Sequence, residues 1–143
     1  MATVFDVATY ILEKKGSLSA MKLQKLCYYA QAWSLVWDGK ELFPEEFEAW
    51  KNGPVCRPLY IRTRGKFLVS KTDENGNSDR LTQEQKDTVN SVLDYYGDKD
   101  AQWLSRLTHM EDPWKNARAG YNDGDHCEEV ISKASMAEYY ESL

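Results

Sequence analysis

The chain has 143 residues, a formal net charge of −5 and a mean hydropathy of −0.67. Hydrophobic residues make up 42% and charged residues 29%, a balance that is typical of a globular domain and excludes a disordered chain. The acidic balance argues against binding to nucleic acid or to an anionic membrane, and no apolar run approaches the ~20 residues of a membrane helix.

The cysteines and the N-terminus predict a cytoplasmic protein. Cys27, Cys56 and Cys127 are an odd number without close pairing, which suits free thiols in a reducing compartment better than disulfides. The segment Met1–Asp6 has no basic residue, so no secretory signal is visible. We expect residues 1–143 to form one domain, because no part of the chain is large enough for a separate core.

The first two helices are predicted from their caps. Thr3 is placed to cap a helix that ends at Gly16, and Ser19 is placed to open the next. The second helix has the strongest amphipathic signal in the chain. Its apolar stripe recurs at the helical period and comprises Leu23, Leu26, Cys27, Ala30, Trp33, Ser34 and Trp37.

Polar and aromatic residues of the second helix fall outside this stripe. Lys22, Gln24 and Lys25 lie off it. Tyr28 and Tyr29 flank it, and we expect them at the edge of the core first and as contact residues second.

A sharp break follows Phe47 and Trp50, at Asn52-Gly53-Pro54. Gly53 can take a positive φ, and Pro54 fixes its own φ and donates no backbone hydrogen bond. The break is therefore either a rigid corner that holds layers together or a rigid rim that presents side chains. Composition alone favours the corner, since such turns are common.

The remaining elements follow from capping and turn signals. Further helix starts are predicted at Pro58, Thr82, Asp100, Asp112 and Ser135. The polar segment Asp73–Asp79 is predicted to be a loop or hairpin and the most mobile part of the chain.

The resulting fold class is α+β, a mostly helical single domain with two or three short strands. The strands are expected near Glu48–Lys51, Phe67–Ser70 and Glu129–Ser132. An all-α domain is the alternative.

One cluster has the residue types of a catalytic or metal site. His109, Glu111 and Asp112 could act in acid–base catalysis or bind metal, which makes a metal-dependent enzyme one hypothesis. The His-x-Glu pattern occurs in zinc-dependent nucleobase deaminases, but their Pro-Cys-x-x-Cys element is missing. His126 and Cys127 are adjacent and therefore poorly spaced for chelation. A structural role is favoured, in which His109 ends one helix and Asp112 caps the next turn.

A local basic run suggests a second alternative, a small DNA-binding protein. It contains no acid and comprises Arg57, Arg62, Arg64, Lys66 and Lys71. Such a run is more often a solvated face, and the acidic whole weakens the nucleic-acid interpretation.

Three segments together resemble one known family. Lys22–Trp33 is similar to its Lys-Leu-Gln-Lys-Leu helix, and Glu48–Val55, preceded by Leu42-Phe43, is similar to its Glu-Ala-Trp and Gly-Pro-Val element. Leu107–Trp114 is similar to its Thr-His and Pro-Trp element. The family is the Panacea domain, found in SocA-like antitoxins and in the phage-associated protein GepA. The resemblance extends from about Phe5 to Tyr140.

The resemblance implies a non-enzymatic antitoxin in the bacterial cytoplasm, without metal or cofactor, whose partner is a cognate protein toxin. One branch of the family acts instead as an adaptor that brings its toxin to an ATP-dependent protease. Oligomeric state stays open.

The motif positions give the expected site. The partner-binding residues are an aromatic anchor and a polar rim: Trp50, Pro54, Val55 and Tyr60, with Lys51 and Arg57. His109, Glu111 and Trp114 are expected to brace this corner from the second half of the chain. The other motif residues are Lys22, Gln24, Tyr28, Tyr29 and Gly53.

Overall fold

The structure, a computed structural model, describes residues 1–71 and 76–143. Within those ranges it contains seven α-helices and two small antiparallel sheets, which confirms the predicted mostly helical α+β class. The helices are α1 Val4–Lys15, α2 Ala20–Trp37, α3 Arg57–Thr63, α4 Gln83–Tyr96, α5 Ala101–His109, α6 Asp112–Ala117 and α7 Lys133–Glu141. The strands are β1 Leu18–Ser19, β2 Phe47–Trp50, β3 Gly53–Val55, β4 Leu68–Val69 and β5 Val130–Ile131.

The larger sheet has the order β3-β2-β5 and contains the Asn-Gly-Pro break. The break forms a tight hairpin in which Trp50 lies opposite Gly53 and Glu48 opposite Val55. On its other side β2 pairs with β5, which brings residues near the C-terminus against the hairpin. The smaller sheet pairs β1 with β4. Strands β1 and β3 were not predicted, because each has only two or three residues and offers no alternation.

Helix α2 is the centre of the fold and contacts α1, α4, α5, α7 and strand β3. All of its residues from Leu23 to Ala32 are buried. The placement of Gln24 and Lys25 outside the buried stripe was therefore wrong, because neighbours cover every side of this part of the helix. Trp37, at the C-terminal end of the predicted apolar stripe, is not buried, since it is 51% exposed. Tyr28 and Tyr29 lie fully inside the core rather than at its edge.

Most predicted helix starts are confirmed by their capping bonds. The Thr3, Ser19, Thr82 and Asp100 side chains each accept a backbone N–H of the first helical turn. These bonds satisfy donors that have no partner within the helix.

Two predicted N-caps were misplaced, that of α7 by three residues and that of α6 by one. Helix α7 is capped by Ser132, whose hydroxyl accepts from the Ser135 amide, so the helix begins three residues earlier than predicted. Glu111 rather than Asp112 precedes α6, and its side chain makes no capping bond. Of the polar segment Asp73–Asp79, residues 73–75 lie outside the described residues, and Ser78–Arg80 forms a single 3-10 turn.

Candidate binding groove at the β2–β3 hairpin

A groove of about 440 Å³ lies between the hairpin, the start of α2 and helix α3. Its walls include Met21, Gln24, Lys25, Trp50, Val55 and Tyr60. Four of the six predicted partner-binding residues line this groove: Trp50, Lys51, Val55 and Tyr60. This hairpin groove is therefore the candidate functional site.

The hairpin turns over a buried lysine, and only glycine fits at the turn. Gly53 has φ +116, a value that other residues rarely adopt. A Cβ at this position would lie 2.5 Å from Lys25 Cε and 3.0 Å from Thr108 Oγ1. The backbone of the hairpin thus approaches both α2 and α5 more closely than a side chain would allow.

Lys25 lies beneath this turn and is only 1% exposed. Its Nζ donates to the Pro54 carbonyl at 3.1 Å, and no ion pair involves it among residues 1–71 and 76–143. Burial lowers the pKa of Lys25 to about 7, because the charged form loses its hydration. The sequence held one signal of this burial: Lys25 is three and four residues from Tyr28 and Tyr29, so it shares their helix face.

The other polar residues of the motif helix hold neighbouring segments in place. The Gln24 side chain donates to the Cys56 carbonyl at 3.1 Å and accepts from the Cys56 amide at 2.8 Å. These two bonds fix the chain at the start of α3. Lys22 donates from Nζ to the Gly97 carbonyl at 2.7 Å, which ties α2 to the end of α4.

The Trp50 indole is half-buried and held on two sides. Its Nε1 donates to Glu48 Oε1 at 2.8 Å, and its ring meets Tyr60 edge-on at 4.8 Å between centroids. Arg57 donates to both oxygens of the same Glu48 carboxylate, at 2.9 and 3.1 Å. The bidentate pair fixes the carboxylate and thereby the indole. A partner that packs on Trp50 would therefore immobilise few additional torsions.

The second half of the chain braces the back of the hairpin. Trp114 Nε1 donates to the Trp50 carbonyl at 2.8 Å, and the buried Arg118 donates to the Ala49 carbonyl at 2.8 Å. His109 stacks on Trp114 with 4.0 Å between ring centroids. Arg118 was missed in the sequence, where nothing separates it from an exposed arginine at a helix end.

Glu111 does not brace the hairpin as predicted. Its carboxylate accepts from the hydroxyls of Tyr29 and Tyr140, both at 2.7 Å, inside the core. Burial raises the pKa of Glu111, while the two hydroxyls oppose that rise. Its interactions join α2, α6 and α7 instead.

The predicted partner-binding residues divide by exposure. Lys51 is exposed at the edge of the groove, and Tyr60 is 39% exposed. Arg57 lies half-buried at the rim. Pro54 and Val55 are buried, so Pro54 contributes its carbonyl to Lys25 and only Val55 lines the groove.

The predicted acid–base cluster does not converge on one point. Glu111 faces the tyrosines, and Asp112 is exposed and pairs with Lys115 at 3.8 Å. Burial lowers the pKa of His109, and its Nε2 is a buried atom without a hydrogen-bond partner. In the described part of the chain, no three His, Cys, Asp or Glu side chains are grouped as metal ligands would be.

The basic run is not a free cationic stripe. Arg57 is bonded to Glu48 and also to Glu128 at 2.9 Å. The Arg62 guanidinium lies over the Phe5 ring, 4.1 Å from its centroid. Two of the five predicted DNA contacts are thus occupied within the fold.

A second apolar groove, of about 650 Å³, lies at the other end of α2. Trp33, Trp37, Tyr95 and Tyr139 are among the residues that line it, and no described lysine, arginine or histidine does. It contains none of the predicted partner-binding residues.

Two further findings concern the environment of the protein. Cys27, Cys56 and Cys127 are all buried, and none of the three forms a disulfide. None of the helices in residues 1–71 and 76–143 combines the length and the apolar character needed to cross a bilayer.

A comparison with family models gives one match. The model described as "Antitoxin SocA-like, Panacea domain" covers residues 23–115, which is more than half of the chain. The matched span includes most of α2, the β2–β3 hairpin and the α5–α6 junction. Searches of curated proteins and of solved structures found no match.

Replacing Gly53 with alanine tests the close approach of the hairpin. We expect Gly53→Ala to lower the free energy of unfolding by about 2–4 kcal/mol, because backbone strain adds to overlap with Lys25 and Thr108. Gly120→Ala is the matched control, since Gly120 has φ +90 but nothing within 4 Å of its Cβ position. The control should lose only about 1 kcal/mol. Equal losses in urea unfolding would contradict the close packing.

The burial of Lys25 predicts a pH dependence of stability. Between its pKa of about 7 in the folded chain and the ordinary 10.5, the unfolded chain binds more protons. The contribution of Lys25 to stability should therefore rise with pH in that window, by at most about 1.4 kcal/mol per pH unit. Lys22, whose pKa burial also lowers, adds a smaller slope of the same sign. The buried Cys56 thiol, whose pKa burial raises to about 12, gives a slope of the opposite sign where the thiols of the unfolded chain ionise.

Lys25→Met should remove most of this slope. It should also raise the free energy of unfolding near neutral pH by about 1–4 kcal/mol, because a buried cation is replaced by an apolar chain of similar length. Urea unfolding of the parent and of Lys25→Met between about pH 7 and about pH 8 measures both effects, below the range where the cysteines and tyrosines of the unfolded chain ionise. A slope that is unchanged in Lys25→Met would show that Lys25 is solvated.

Proposed function

The chain belongs to the SocA-like antitoxin Panacea domain family, and on this basis we propose that it neutralises a cognate protein toxin by binding it directly. In this proposal the protein acts in the bacterial cytoplasm and catalyses no reaction. The hairpin groove is the surface that meets the toxin. The family implies the toxin partner, and the groove is where this chain offers a suitable surface.

The observation that carries the proposed surface is the fixed Trp50 indole. Tryptophan, tyrosine and arginine dominate the binding energy of protein interfaces, and Trp50, Tyr60 and Arg57 adjoin one another here. Arg57 lies 5.5 Å from the centre of the Trp50 ring and shares Glu48 with it. The cluster is thus set before binding, which lowers the entropic cost of forming an interface.

The separate placement of the three predicted acid–base residues supports a binding role over catalysis. General acid–base catalysis needs titratable groups within reach of one substrate position. His109, Glu111 and Asp112 are neighbours in sequence but have separate partners: Trp114, the core tyrosines and Lys115.

Trp50→Ala should weaken toxin binding by about 10–100-fold, since it removes the central ring of the cluster. The toxin can be sought as the product of the open reading frame next to the gene of this chain. Binding is measured by calorimetry on purified proteins, and the fold of the variant is checked by its unfolding transition.

Trp37→Ala is the matched control. It removes the exposed Trp37 indole at the far end of α2, ~18 Å along the helix axis from Lys25. We expect it to bind the toxin as the parent does. A folded Trp50→Ala protein with unchanged affinity would contradict the proposed surface.

A further inference from the structure

The ammonium group of Lys25 has unused hydrogen-bonding capacity. A lysine has three N–H donors, and the Pro54 carbonyl is the hydrogen-bond acceptor that the structure gives it. Among residues 1–71 and 76–143 no acid pairs with it. A buried cation with this little compensation is costly, and such groups are usually paired.

The hairpin groove is positive in a protein that is acidic as a whole. Lys25 and Lys51 line it, and no described Asp or Glu does. Two carboxylates of the larger sheet's segments, those of Glu48 on β2 and Glu128 just before β5, are both bonded to Arg57. Apolar walls around a cation strengthen its field inside the groove.

We propose that the hairpin groove binds the C-terminal carboxylate of a partner chain, which accepts a hydrogen bond from Lys25 Nζ. The last side chain of that partner is apolar and packs against Met21, Trp50 and Tyr60. This inference rests on the proposed function, because it names the part of the toxin that enters the groove.

The depth of Lys25 favours a chain end over an acidic side chain in mid-chain. Lys25 is 1% exposed, so a ligand must bring its carboxylate to the floor of the groove. A C-terminus enters the groove as one chain segment whose last atoms carry the negative charge. An aspartate or glutamate within a chain would bring two flanking segments into the same space of about 440 Å³.

A bound carboxylate also changes the protonation of the groove. It favours the charged form of Lys25, so the pKa of Lys25 rises on binding. The other titratable groups around it include His109 on α5 and, in the walls, Lys51, Tyr60 and His126. Burial lowers the pKa of His109 most, the positive charge of Lys25 lowers it further, and a bound carboxylate relieves the part that is due to Lys25.

The test uses the full chain and three acetylated tripeptides. The first ends in leucine with a free carboxylate, and the second is its C-terminal amide. The third is amidated and has aspartate in the middle, so its only carboxylate is a side chain. Binding is followed by NMR through the Trp50 indole N–H and the Cε signal of Lys25, which also reports the pKa of that lysine.

We expect the free acid to bind at least about tenfold more tightly than either amide, because only it delivers a charge-assisted hydrogen bond to the floor. The pKa of Lys25 should rise in that complex alone. Lys25→Met should abolish the preference, whereas Lys14→Met, which removes an exposed lysine on α1, should retain it. The pKa readout in the parent protein needs no variant to fold.

Three results would overturn the proposal: equal binding of the acid and its amide, tightest binding of the aspartyl peptide, or no binding of any peptide at millimolar concentration. The proposed function fails separately. If Trp50→Ala loses the toxin while the acid shows no preference, toxin binding stands and the carboxylate site is wrong. If the acid binds at Lys25 but Trp50→Ala binds the toxin as tightly as the parent, the carboxylate site stands and the proposed toxin-binding surface is wrong.

Discussion

The contact between Lys25 and the Pro54 carbonyl is the constraint on which the candidate site depends. It places a cation under the hairpin, and it requires that Gly53 have no side chain. The hairpin can then lie directly on α2, with the Trp50 ring at its edge. Burying an ionisable amine is unfavourable for folding, and such exceptions to folding rules are expected at functional sites.

Helix α2 organises this region through buried amides as well as apolar packing. Gln24 exchanges two bonds with Cys56, and Gln31 accepts from the Leu42 amide and donates to the Phe43 carbonyl, each at 2.7 Å. Loss of either amide would leave buried backbone groups unpaired, which is costly. The segment between these points, which contains the hairpin, is therefore held at both ends by one helix.

The sequence predicts the parts of this protein that local chemistry determines. Thr3, Ser19, Thr82 and Asp100 begin helices because their side chains satisfy the first-turn amides. The side chains of Lys25 and Arg118 are buried because of their tertiary neighbours. Hydrophobic periodicity counts lysine and arginine as polar and so cannot indicate that burial. Of the site, Trp50, Tyr60 and the need for a glycine at the turn were accessible, whereas the charged floor of the groove was not.

We propose that the aromatic cluster around Trp50 and the Lys25 side chain beneath it together recognise the toxin. Hydrogen–deuterium exchange of the full chain, alone and bound to its toxin, tests that assignment most directly. If the toxin binds there, we expect new protection over residues 20–26 and 47–60, the segments that contribute most of the hairpin groove. Protection confined to the helix ends around Trp37 and Tyr95, with the hairpin unchanged, would contradict it.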